Sequence, residues 1–128
     1  MPALRVLLVD ASQPFLDAAA HFLAEVPGID VVGCLLASHE TLAASAKLHP
    51  DLVLINLAMP EMGGLVVTLH LKALPDPPRV IIVTDYDQAP YRELAAAVQA
   101  DGFVSKREFA THLVPSIRKL FETELLCQ

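Results

Sequence analysis

Two stretches, Leu52-Val53-Leu54-Ile55 and Val80-Ile81-Ile82-Val83, are apolar at every position. A strand with one wet face alternates apolar and polar residues, so an unbroken apolar strand has both faces covered. That is the signature of a parallel sheet held between two layers of helices. The two stretches belong to runs Leu52 to Leu57 and Val80 to Thr84, and three more short runs, Leu4 to Val9, Ile29 to Cys34 and Gly102 to Ser105, read as further strands.

The intervening segments carry helical spacing. Phe15, Ala19, Phe22, Leu23 and Val26 form one stripe, with Asp17, His21 and Glu25 on the other side. Ser12 is the expected N-cap, Pro14 falls in the first turn, and Pro27-Gly28 stops the helix. Ser38 is expected to cap a second helix running to Leu48. Gly64 opens a third, closed by Pro75. Pro90 lies in the first turn of a fourth, Tyr91 to Val98. A fifth runs toward Leu126 with Leu113, Ile117, Leu120 and Phe121 inward, and Pro115 predicts a late start or a bend. Strand and helix thus alternate five times. Right-handed crossovers then give a doubly wound (βα)5 sheet.

At 128 residues the chain is a single domain, 1–128, and 54% hydrophobic residues supply a core. No apolar run reaches the roughly 18 residues of a membrane span, and the start does not read as a signal peptide. The expected location is the cytoplasm. With 9 Lys+Arg against 15 Asp+Glu and no basic cluster, direct nucleic-acid binding by this domain is not expected. Cys34 and Cys127 fit no metal spacing and read as reduced thiols. The five histidines (21, 39, 49, 70, 112) form no ligand pair and read as helix-surface residues.

In doubly wound sheets the site lies beyond the carboxyl ends of the strands. Those ends carry Asp10-Ala11-Ser12, Asn56-Leu57-Ala58, Thr84-Asp85-Tyr86 and Ser105-Lys106. An acid, an amide, a hydroxyl and a lysine converging on one crevice suit a phosphate or a divalent cation.

In register along the chain, Leu7-Leu8-Val9-Asp10, Pro50 to Ile55, Met59 to Gly64, Val83-Thr84 and Ala100 to Lys106 resemble the receiver domains of two-component response regulators. The likeness is greatest to the branch that precedes a LuxR-type DNA-binding domain, and it covers essentially the whole chain. It implies a flavodoxin-like fold with five parallel strands in the order 2-1-3-4-5. It also implies an aspartate on the third strand that takes a phosphoryl group from a histidine kinase. Acids after the first strand and a backbone carbonyl hold Mg²⁺ there, and Thr and Lys bind the phosphoryl oxygens.

Carried over residue by residue, Asp10, Thr84 and Lys106 match, Phe103 matches the switch aromatic that moves with Thr84, and Ala58 supplies the metal-binding carbonyl. The phosphoacceptor position, however, is Asn56, which has no nucleophilic carboxylate. Ala11 replaces a metal-binding acid, Asp85 places a negative charge beside the threonine, and Arg107 stands where Pro is common. The expectation is a degenerate receiver that is not an enzyme, holds no Mg²⁺ and signals by protein contact. The alternative is a phosphorylatable, Mg²⁺-dependent receiver in which Asn56 is an engineered change. A small-ligand sensor using the vacated crevice is a third, weaker reading. The implied partners are a histidine kinase or another regulator, a second copy, and a C-terminal DNA-binding domain in a longer chain. With Phe103 packed inward, Thr84 is expected to be free to bond Lys106, Asn56 or water.

Three other features carry expectations. Gly63-Gly64 reads as flexibility before the third helix. Tyr86 and Asp87 lie near the mouth of the site. Val66, Leu69 and Ala73 form a second apolar row on the third helix, whose only charged residue is Lys72, and they suggest a partner surface.

Overall fold

The computed structural model describes residues 3–60, 62–86 and 88–126, with side chains as far as Phe121. Glu61, within the Met59 to Gly64 segment, and Asp87 and Cys127 lie outside the described residues. The elements are β1 (Leu4–Val9), α1 (Gln13–Ala24), β2 (Ile29–Leu35), α2 (Thr41–Leu48), β3 (Leu52–Asn56), α3 (Gly64–Lys72), β4 (Arg79–Thr84), α4 (Ala89–Ala97), β5 (Gly102–Ser105) and α5 (Phe109–Leu126). Every strand pair is parallel and the order is β2-β1-β3-β4-β5, the flavodoxin-like topology.

The unbroken apolar strands have the expected cause. Leu54, Ile81 and Val83 pack with Leu16 and Leu23 of α1 and Leu113 and Ile117 of α5. Val53, Ile55, Val80 and Ile82 pack on the other face with Val67 and Leu71 of α3. Successive residues of one strand therefore enter opposite clusters, and each fully buried Val, Leu or Ile contributes about 1.5–3 kcal/mol. Leu16, outside the stripe read from the sequence, is buried in α1.

Local signals held at some helix ends and gave way at others. The Ser12 hydroxyl accepts the Phe15 N–H at 3.2 Å, as an N-cap does. Ser38 is not the cap of α2. It opens a separate 3-10 turn, is buried, and donates its hydroxyl to the Met62 carbonyl, so a distant loop claims it. The α3 helix ends at Lys72, short of Pro75, because the Ala73 N–H turns to the His70 carbonyl three residues back. The α5 helix does not start late: Phe109 opens it and Pro115 lies inside. Burial of Leu113 and Ile117 on either side of Pro115 offsets the backbone bond that proline cannot make.

Asp101 ties the amino-terminal side of the sheet together. Its carboxylate meets Lys72 Nζ at 2.8 Å and Arg79 Nη1 at 3.4 Å, and accepts the Val80 N–H at 2.7 Å. Cys34 lies exposed on edge strand β2, yet partial burial first and the Asp17 carboxylate second push its thiol pKa up. All five histidines are exposed. Among the described residues, no helix is long and apolar enough to cross a membrane.

Candidate functional site

Strand register assembles the carboxyl edge. Val9 pairs with Ile55, so Asp10 and Asn56 leave adjacent strands side by side. Asn56 pairs with Val83, and Thr84 pairs with Ser105, which brings Thr84 and Lys106 to the same edge. The reversal of strand order falls between β1 and β3, beneath Asp10 and Asn56.

The side chains are already engaged. Lys106 Nζ sits 2.8 Å from Asp10 Oδ2, with side-chain exposures of 15% and 3%. Oδ2 has no aligned hydrogen bond, so this contact is an ion pair. Asp10 Oδ1 accepts the Ser12 N–H at 2.9 Å. The Lys106 ammonium also lies 4.3 Å over the Phe15 ring, whose edge-on contact with Phe109 fixes it from below. Asn56 Nδ2 donates to the Ala58 carbonyl at 2.9 Å.

Thr84 is buried, and its hydroxyl accepts the Tyr86 N–H at 3.0 Å. The expectation for Thr84 was a bond to Lys106, Asn56 or water. Lys106 instead goes to Asp10, because a buried carboxylate needs a counter-charge more than a hydroxyl needs a partner. Phe103 is partly buried against the sheet, with the Arg92 guanidinium 4.7 Å over its ring. Ala11, Asp85 and Arg107 are exposed at the rim.

Of the ligands that the resemblance implies for Mg²⁺, the Asp10 carboxylate and the Ala58 carbonyl are present, and Ala11 stands in place of the second acid. The ion needs near-octahedral oxygen ligands and dehydrates reluctantly. The Asp10 carboxylate is paired with Lys106, the Ala11 side chain has no ligand atom, and the Ala58 carbonyl accepts one hydrogen bond, from Asn56 Nδ2. Among the described residues, no group of three or more His, Cys, Asp or Glu side chains is placed to hold a metal.

Sequence reasoning missed three participants. The sequence places Ser12 at a strand end and as a cap but not as the donor to Asp10, although an Asp two residues before a turn N–H is a recognisable signal. Phe15 was read as core, and Arg92 was not singled out. Their ring contacts depend on which helix covers which strand end, and no local pattern carries that.

Fold and edge together define a flavodoxin-like α/β domain with its site at a topological switch point. A match to the response regulator receiver domain family spans residues 6–118. The chain belongs to that family. Response regulator GacA of Pseudomonas syringae pv. syringae is 31% identical over 119 residues, covering 92% of this chain and 55% of that protein. The chain spans about half the length of the curated relatives it matches. The response regulator domain of Thermotoga maritima CheB superposes with a TM-score of 0.83 at 25% identity, covering 91% of this chain and 95% of that one. A DNA-binding response regulator of the LuxR family from Staphylococcus aureus has a TM-score of 0.84 at 21% identity, with 90% and 96% covered. That last likeness shows the fold alone.

Proposed function

We propose that this domain is a receiver that takes no phosphate and signals by protein contact. One observation carries the reading: the position that would accept the phosphoryl group is Asn56, and its amide is bonded to the Ala58 carbonyl. An amide lacks the anionic oxygen that attacks phosphorus. The neighbours support it. Lys106, which would meet the phosphoryl oxygens, is held by Asp10, and Asp85 repels an incoming anion. The proposed role is regulatory and non-enzymatic, without Mg²⁺, in the cytoplasm. The partners are a histidine kinase or another regulator, with a LuxR-type DNA-binding domain following in the longer protein. The net charge of −6 leaves nucleic-acid contact to that output domain.

Intact-mass spectrometry after incubation with acetyl phosphate and Mg²⁺ tests this. No phosphoryl adduct is expected on the wild type, and Asn56→Asp alone should acquire little, because Ala11 and Asp85 remain. An adduct mapping to the Asn56 segment of the wild type overturns the reading. Rapid labelling of Asn56→Asp would instead favour a site altered at that one position. Titration calorimetry should show no sub-millimolar Mg²⁺ binding.

A further inference from the structure

Helix α4 rests lightly on the sheet. Ala95 is its one buried residue, and every other residue from Ala89 to Ala97 is exposed. By contrast α1 buries Leu16, Ala19 and Leu23, α3 buries Val67 and Leu71, and α5 buries Phe109, Leu113 and Ile117. A helix of 9 residues is not stable alone in water, so its docking decides whether it persists. A single buried methyl group supplies little docking. Ring contacts add to it. The Arg92 guanidinium lies 4.7 Å over the Phe103 ring, and the Tyr91 ring meets that of Tyr86 with centroids 5.5 Å apart. Both tyrosines are exposed, and Tyr86 belongs to the connection that leads into α4. Phe103 belongs to β5 and is partly buried against the cluster that also holds Ile82 and Ala95. Arg92 therefore joins α4 to a fixed strand, whereas Tyr91 joins it only to its own approach.

We infer that α4 is a flap that opens from the sheet while the rest of the domain stays folded, and that Arg92 on Phe103 is the latch that sets how often it opens. Segments with few buried apolar contacts open locally at low free energy, and α4 is such a segment. A cation over an aromatic face is drawn to the ring quadrupole, and the flat guanidinium stacks on the ring while its methylene stem covers apolar surface. The latch also has something to gate. Ala97 and Val98 form one wall of a groove whose other wall is Leu69 and Ala73 of α3. The α3 side is uncovered, with Val66 45% and Leu69 54% exposed. Opening of α4 removes one wall of that groove and bares Phe103, so the flap sets which surface this side of the molecule presents. Asp10 and Lys106 are held by each other, Ser12 and Phe15. The latch therefore works whether or not the domain accepts phosphate, and its test fails or succeeds separately from the phosphorylation test.

Hydrogen exchange followed by mass spectrometry on the chain, without phosphodonor, tests the inference. Amides from Arg92 to Val98 should exchange at least about tenfold faster than those in the middle of α1 and α3. Arg92→Met keeps the stem and loses the charge, and Phe103→Leu keeps an apolar side chain and loses the ring face. Each should speed α4 exchange about three- to fivefold and leave α1 and α3 unchanged, as expected for a partly exposed cation–π contact. The two together should do no more than the larger single change, because both remove one interaction. Arg92→Lys, which restores a cation, should recover part of the protection. Glu93→Gln, exposed on the same helix, should exchange like the wild type. Phe103→Leu alters a partly buried position, so Arg92→Met, an exposed change, decides the matter if that variant is unstable. An α4 that exchanges as slowly as α3 overturns the inference. So does an Arg92→Met chain indistinguishable from the wild type, or one in which all helices speed up alike.

Discussion

Asp10 is a carboxylate with almost no access to water, and Lys106 is the charge that makes its burial tolerable. Removing one member of such a pair leaves the other uncompensated. Lys106→Met should lower stability by about 3–5 kcal/mol in urea denaturation. Adding Asp10→Asn should recover much of that loss, because the double mutant buries no orphan charge. If the two single losses simply add, the pair is not coupled and Lys106 holds the fold through its contact with Phe15 alone. Both residues were legible in the sequence as members of the site. Their mutual engagement was not, since it depends on how the β1 and β5 ends sit across the edge of the sheet. Asn56, Ala11 and Asp85 were legible as departures because each changes the chemistry of one position.

The strands were legible to within a residue or so, because buried parallel strands write their environment directly into composition. Helix ends were less so. Ser38 left its expected post for the Met62 carbonyl, and α3 stopped before its proline. The Gly63-Gly64 pair shows the difference most clearly. Flexibility was the expectation, whereas at Gly64 the structure shows close approach. The Gly64 N–H donates to the Leu57 carbonyl at 2.9 Å. A Cβ there would collide with the Asn56 carbonyl oxygen and stand 3.1 Å from Leu57 Cα. Both obstacles are backbone, which yields less readily than a side chain. Gly64→Ala should therefore cost about 1–3 kcal/mol, read from thermal or urea unfolding. The same change at Gly63, whose nearest obstacle is the Leu57 carbonyl oxygen at 3.8 Å, should meet no clash. Equal effects at the two positions would show that the β3–α3 connection can yield.

At the scale of the whole molecule the strand order followed from the family resemblance, and the α/β class from the apolar strands alone. The uncovered face of α3 was visible as a second apolar row, whereas the α4 wall beside it was not, since α4 reads as an ordinary surface helix. The sheet itself has a consequence for the molecule's tolerance of change. It is a partition: Leu23 and Leu71 are both fully buried, yet they belong to clusters on opposite sides and share none of the buried residues that define them. Each truncation to alanine should cost about 2–5 kcal/mol. Together the two costs should sum to within about 0.5 kcal/mol, as expected for sites without common neighbours. A larger deviation would mean that the strands transmit strain from one layer to the other. With an insulating sheet, the α3–α4 layer is free to diverge toward new partners while the α1–α5 layer, which braces the Asp10–Lys106 edge, stays as it is.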